Sequence, residues 1–271
     1  MRLIQKKTLN NLFDNLNNIF DFSQKLISSS RKIILKAYRS KLDVQVKEDS
    51  SPVTLIDRRV EKKLRTLITD IFPNHSIIGE EYPSINLQSP YKWVIDPIDG
   101  TRAFITGKPT FGTLIALYKE DEPIFGIIDM PVLDELWLGI KNHGCFCNNK
   151  KVTVSNINNI SKATIVSSSP DAFNKTQLKL YNKIKKNCLR SVWGGDCHNY
   201  GLLAGGFLDI VIECNLKWHD IAALIPIVEE AGGIASDFCG RKLTINGDGN
   251  ILACNSKIVH SQVLEILSKN G

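Results

Sequence analysis

Ile95-Asp96-Pro97-Ile98-Asp99-Gly100-Thr101 is the stretch on which the reading of this chain turns. The apolar run Lys92-Trp93-Val94-Ile95 leads into it as a strand, so two carboxylates stand just off a strand end. Pro97 fixes its own φ, and Gly100 admits backbone angles that other residues avoid. Such a turn can aim Asp96 and Asp99 at one point and leave the Ile98 carbonyl free. Hard oxygen ligands of this type suit Mg²⁺. The amides of Gly100 and Thr101 follow at once and can cup an anion. Together these features point to metal-assisted phosphoryl chemistry. The same residues also fit a capped surface turn, and the local pattern leaves both readings open.

Outward from this turn, the first half of the chain reads as helices followed by a meander. Leu9, Leu12, Phe13, Leu16, Ile19 and Phe20 recur at helical spacing, and a second helical pattern covers 23–39; the two form separate helices or one bent arm. A helix over 54–72 carries Val60, Leu64, Leu67, Ile68 and Ile71 on one face and stops at Pro73-Asn74. Short apolar runs at 76–78, 113–118, 124–129 and 136–140 read as antiparallel strands. After residue 161 the pattern alternates. Strands at 163–167, 189–193, 208–213, 234–236 and 251–254 are interleaved with helices at 176–186, 196–204, 220–231 and 258–267. Gly232-Gly233 closes the helix before it. The expected class is α/β, with an α+β subdomain over 1–160 and an α/β subdomain over 161–271.

Composition narrows the class further. The 271 residues are 43% hydrophobic and 23% charged, which is ordinary for a globular chain. The formal charge is +6, but Lys and Arg are scattered. The densest clusters, Lys6-Lys7, Arg58-Arg59, Lys62-Lys63 and Lys185-Lys186, make no nucleic-acid arm. Nucleic acid is therefore not an expected partner. Seven Cys with no C-x-x-C argue for reduced thiols rather than a disulfide framework. No apolar run is long enough to span a membrane, and the first residues carry no signal-peptide core. These features predict a soluble cytoplasmic protein.

The 95–101 segment resembles the signature of the inositol monophosphatase superfamily. Three more pieces stand in the order that family has: Thr54-Leu55-Ile56-Asp57, Gly79-Glu80-Glu81, and Trp218-His219-Asp220 leading to Glu229-Glu230-Ala231-Gly232-Gly233. The resemblance spans roughly 25–268. It implies a layered αβαβα sandwich, a homodimer, lithium sensitivity, and a small phosphate monoester as substrate. It further implies two to three Mg²⁺ per site. Glu80, Asp96 and the Ile98 carbonyl would hold the first ion, and Asp96, Asp99 and Asp220 the second. Asp57, Thr101 and Glu80 would be the catalytic set, with Asp57 and Thr101 orienting the attacking water. Competing local readings exist. Asp57 lies three residues after Thr54 and can complete a capping box. Asp220 stands at a helix start, where Asp is a common cap. His219 has no task in the family pattern and reads as a surface or pocket-edge residue. His75, His143, His198 and His260 read as structural.

Within the superfamily, the run from Asp99 to Thr113 resembles the histidinol-phosphatase branch, with Arg102 and Ala103 where inositol phosphatases tend to have Thr and Asn. Trp193-Gly194-Gly195-Asp196-Cys197, Glu213 and 216–220 agree with that branch, although His219 stands where it often has Tyr. The resemblance implies Gly100, Thr101, Arg102, Asp196 and Glu213 as substrate-binding residues. Asp196 and Glu213 would then face a cationic leaving group. Glu213 also fits a salt bridge to Lys217, and Arg102 a surface ion pair. Inositol 1-phosphate or broad sugar-phosphate hydrolysis is the alternative. A regulatory protein acting on transcription complexes is the reading from another class.

Overall fold

A computed structural model describes residues 16–41, 44–46 and 52–268. The predicted helical runs before and after residue 21 form one continuous helix, α1 (Leu16–Ala37); the part of the prediction before residue 16 lies outside the described residues. Ile19, Phe22, Leu26, Ile27 and Ile34 make its buried stripe. A short hairpin of β1 (Val44–Val46) and β2 (Pro52–Thr54), not anticipated from the sequence, leads to α2 (Leu55–Ile71). Val60, Leu64 and Ile68 bury one side of α2, as its spacing predicts.

Both helices cover one face of a seven-stranded sheet. Its strands are β3 (Ser76–Gly79), β4 (Tyr91–Asp99), β5 (Gly112–Lys119), β6 (Glu122–Met130), β7 (Glu135–Ile140), β8 (Gly144–Cys147) and β9 (Lys150–Val152), in that order across the sheet. The expectation of an all-antiparallel meander needs one correction: β3 and β4 run parallel. The segment 80–90 returns the chain to the end where β3 began, so that Ser76 pairs with Lys92. β8 and β9 also escaped the sequence reading. Their turn, Asn148-Asn149, has positive φ at both residues, as a tight hairpin requires.

The second sheet has the order β11-β10-β12-β14-β13, built from β10 (Thr164–Ser167), β11 (Arg190–Trp193), β12 (Ile210–Glu213), β13 (Ile234–Ser236) and β14 (Ile251–Cys254). β11, β10 and β12 are parallel, and β14 is antiparallel to its neighbours. The small helix α3 (Thr101–Ile105) follows β4. On the outer face of the second sheet lie α4 (Lys175–Asn187) and α8 (Lys257–Ser268). Between the sheets lie α5 (His198–Ala204), α6 (Trp218–Ile221) and α7 (Leu224–Glu230). Three apolar cores fill the gaps between the layers. The result is the expected αβαβα sandwich.

The helix predicted over 220–231 begins earlier and divides into α6 and α7. Pro226 has no N–H to give the Ala222 carbonyl. Tyr118 Oη donates to that carbonyl instead, at 2.9 Å. Gly232, with φ 96, then ends α7. The middle layer sits tight on the first sheet, because a Cβ at Gly126 or Gly139 would come within 2.2 Å of the Ala223 or Pro226 carbonyl oxygen. The helix predicted from Asp196 starts at His198, since Asp196 itself has a left-handed φ of 46.

Arg31 on α1 reaches the sheet and donates to Asp129 Oδ1 on β6 at 2.8 Å, with a second bond to Asp134 in the following turn. Burial pushes the Asp129 carboxyl up to about 6, against the pull of Arg31. The folded state therefore holds this proton more tightly than the unfolded chain, whose value is near 3.8. The stability contributed by Asp129 should fall as pH rises from about 4 to about 6. The unfolding free energy of Asp129→Asn, minus that of wild type, should increase across this window and level off above it. Urea titrations at several pH values measure this, and parallel profiles would remove Asp129 as the cause.

Candidate active site

The site forms where β3 and β4 end and where α3, α5 and α6 begin. The 96–99 stretch interrupts the register between β4 and β5, which turns its carboxylates out of the ladder. Asp96, Asp99 and Asp220 each present an oxygen within 4.8 Å of the others'. A backbone amide pins one oxygen of each. Ile98 N–H donates to Asp96 at 3.0 Å, Cys197 N–H to Asp99 at 2.8 Å, and Lys217 N–H to Asp220 at 2.7 Å.

Glu80 lies against Asp96, and both its charge and a hydrogen bond with it act on the Asp96 carboxyl. Burial lifts Asp96 and Asp99 well above the ordinary carboxylate range. Neighbouring acids add to the effect, with Glu80 foremost for Asp96 and Asp196 foremost for Asp99. Asp220 is raised chiefly by burial, while His219 opposes the shift. Acidic groups so placed repel one another unless a cation lies among them. Hard carboxylate oxygens, together with the Ile98 carbonyl, suit a divalent ion that prefers oxygen.

Asp57 is buried at the start of α2. Its Oδ2 accepts from Thr54 N–H at 2.8 Å and from Thr54 Oγ1 at 2.6 Å. The capping-box reading thus holds, and the charge of Glu80 still reaches this carboxyl. Burial is the main cause of its raised pKa. Thr101 Oγ1 donates to the Ile98 carbonyl at 3.1 Å. Gly100 takes φ 78, a left-handed backbone that favours glycine, and a Cβ there would press on the Asp196 carboxyl at 3.1 Å.

A cavity of about 90 Å³ adjoins the acids and is lined by Asp99, Asp196, Glu213 and Asp220 among others. Burial pushes Asp196 up to about 6, with Lys108 and then Arg102 pulling it down. Glu213 rises to about 7, first through burial and further through the charge of Asp196. Its hydrogen bonds come from Ser168 N–H at 3.0 Å, the Ser168 hydroxyl and Tyr200 Oη at 2.9 Å. The salt bridge to Lys217 considered from the sequence is replaced by these neutral donors. Arg102 is exposed and acts on Asp196 through charge.

The sequence reading missed Lys108, Ser168, Tyr200 and the Cys197 amide. Lys108 lies in the quoted 99–113 run and could have been found there. The others are brought in by the second sheet and by α5. His219 lies deeper than expected, with Nε2 3.5 Å from Asp220 Oδ1 and 4.0 Å from Glu80 Oε1. Of the other imidazoles, His75 is stacked between Phe72 and Tyr91, His198 meets Glu135 at 2.9 Å, His260 meets the Ser236 hydroxyl at 2.7 Å, and His143 is exposed.

The profile of the inositol monophosphatase family matches residues 15–271. This chain belongs to that family. It is 38% identical to the bifunctional phosphatase IMPL2, chloroplastic, of Arabidopsis thaliana, over 86% of this chain and 70% of that one. It is 36% identical to a histidinol-phosphatase of Chlorobaculum parvum, over 80% and 85% of the two chains. Among solved structures, an inositol monophosphatase from Zymomonas mobilis superposes with a TM-score of 0.84 at 36% identity, covering 93% of this chain and 98% of its own. The protein is thus a phosphatase of the inositol monophosphatase family, a phosphoric monoester hydrolase. Among the described residues no helix is long and apolar enough to cross a membrane.

The crowded acids predict a trade between stability and metal binding. Asp96→Asn removes one charge and keeps an oxygen for the Ile98 amide. In metal-free protein it should raise Tm by about 2–4 °C, the shift expected per kcal/mol of repulsion relieved in a chain of this size. Mg²⁺ should raise the Tm of the wild type, and the variant should lose that rise. Differential scanning calorimetry with and without Mg²⁺ checks both, and a variant that Mg²⁺ still stabilises would dismiss Asp96 as a ligand.

Proposed function

We propose that the protein hydrolyses L-histidinol phosphate to L-histidinol and phosphate. One observation carries this reading: two carboxyls, Asp196 and Glu213, line one small cavity beside the Asp99 and Asp220 acids. Each is pushed up by burial, and the charge of Asp196 also acts on Glu213. A cationic leaving group between them would relieve that repulsion. Histidinol phosphate carries an amine and a titratable imidazole. Inositol phosphate offers only hydroxyls to the same carboxylates. The similarity to a histidinol-phosphatase supports the choice.

The proposed roles of the side chains rest on the family pattern and on the acid cluster. Glu80, Asp96 and the Ile98 carbonyl, with Asp99 and Asp220, would hold two Mg²⁺. Bound there, the ions would supply charge for the phosphoryl oxygens and lower the pKa of the attacking water. The amides of Gly100 and Thr101 cup the phosphate. Asp57, its Oδ2 fixed by Thr54, receives the proton of the attacking water by way of Thr101 Oγ1. Burial raises the Asp196 carboxyl in the cavity, and Lys108 and then Arg102 oppose that rise and favour its ionised form. Asp196 and Glu213 orient the leaving group.

Phosphate release with Mg²⁺ tests the substrate. The kcat/KM for L-histidinol phosphate should exceed that for inositol 1-phosphate and for 3′-phosphoadenosine 5′-phosphate by 10²-fold or more, about 2.7 kcal/mol of discrimination. Glu213→Gln should cut the rate on histidinol phosphate more than that on a neutral sugar phosphate. Flat rates across the three substrates, or equal losses in the variant, would replace this reading with a general small-phosphate phosphatase.

A further inference from the structure

Two charged residues on α2 grip the segment that carries Glu80. Glu61 is fully buried, at 0% exposure, on a helix face otherwise lined by Val60, Leu64 and Ile68. Its Oε2 accepts the Glu81 N–H at 2.7 Å. Its Oε1 accepts Arg65 Nε at 2.7 Å, one helical turn on. Arg65 then donates to the Tyr82 carbonyl at 2.9 Å and the Pro83 carbonyl at 3.1 Å, with its guanidinium over the Tyr82 ring. Gly79 is shaped to this grip, since a Cβ there would fall 2.0 Å from Glu61 Oε1. The residue immediately before Glu80, the one immediately after it, and the two that follow are thus each held by, or fitted to, this pair.

We propose that Glu61 and Arg65 are positioning residues for Glu80, setting the affinity of the metal site without touching metal or substrate. The inference rests on the proposed role of Glu80 as a ligand. The physical case is one of geometry. An acidic side chain set against Asp96 would swing away to lower the repulsion. A loop without regular structure offers little resistance to that movement. A buried carboxylate bonded to the loop amide and a planar guanidinium bonded to two loop carbonyls fix the backbone on either side of Glu80. The same helix carries Asp57 at its first turn, so α2 sets Asp57 and Glu80 in one frame. Removing partners that orient ligands typically costs 10–100-fold in metal affinity or activity.

The test measures Mn²⁺ binding to the full chain by isothermal titration calorimetry, alongside Mg²⁺-dependent turnover. Arg65→Ala and Gly79→Ala should each weaken Mn²⁺ binding by about 10-fold or more. Both should raise the Mg²⁺ concentration for half-maximal activity, while KM for substrate at saturating Mg²⁺ changes less than about twofold. Arg65→Lys keeps the charge but cannot serve Glu61 and both carbonyls at once, and should fall between wild type and Arg65→Ala. It also serves as the readout if Arg65→Ala does not fold. Glu80→Gln is the control for the underlying reading. If Glu80→Gln weakens Mn²⁺ binding and the folded Arg65 and Gly79 variants bind as wild type, the positioning role is overturned. If Glu80→Gln itself binds as wild type, the ligand role of Glu80 fails and takes the positioning role with it.

Discussion

Main-chain N–H groups hold the acidic residues of this site where their own charges would drive them apart. Ile98, Cys197 and Lys217 each donate one amide to Asp96, Asp99 and Asp220 respectively. Thr54 does the same for Asp57, and Glu61 returns the favour by accepting the Glu81 amide. Hydrogen bonds to ionised groups are the stronger kind, and an amide fixed in a helix start cannot turn away. The four donors come from the 96–99 turn and the starts of α5, α6 and α2. The cluster is thus a product of tertiary structure.

That dependence explains why the middle helix layer must sit as it does. The Cys197 amide reaches Asp99 only because α5 lies against the ends of the first sheet. α6 and α7 are drawn down by Gly126 and Gly139, which leave room for their backbone. Tyr118 on β5 adds a direct bond into the α6–α7 junction. Pro226, a defect by helix rules, frees the carbonyl that receives it. The break in the helix is therefore a point of attachment between sheet and middle layer, at the Ala222 carbonyl two residues from Asp220.

How much of this was legible beforehand differs by kind. The helical periodicity of α2, the strand before Asp96 and the alternation after residue 161 were plain, because each is a local pattern. The order of motifs brought Asp57, Glu80, Asp96, Asp99 and Asp220 into view. Parallel pairing of β3 with β4 was hidden, since it depends on the path of 80–90 rather than on composition. Ser168 and Tyr200 were hidden because they meet Glu213 across 45 and 13 residues of chain. Glu61 did leave a trace. A Glu amid Val60, Leu64 and Ile68 is out of pattern for an apolar stripe, and a buried acid needs partners. Pro226 inside an expected helix was a similar trace.

The competing sequence readings of Asp57 and Asp220 also find a common resolution. Each reads as a helix cap or as a site acid, and both accept an amide at a helix start, Asp57 from Thr54 and Asp220 from Lys217, while Asp220 also stands in the acid cluster. A carboxylate has two oxygens, so one can close a helix start while the other faces the site. The cap fixes the orientation of the carboxylate, so the two roles are compatible. Asp196 and Glu213 are held differently, by a left-handed backbone in one case and by Ser168 and Tyr200 in the other. None of those supports belongs to the amide set that pins Asp96, Asp99 and Asp220. The cavity beside the acids is thus held by contacts other than the three amides, although Asp99 and Asp220 line it too.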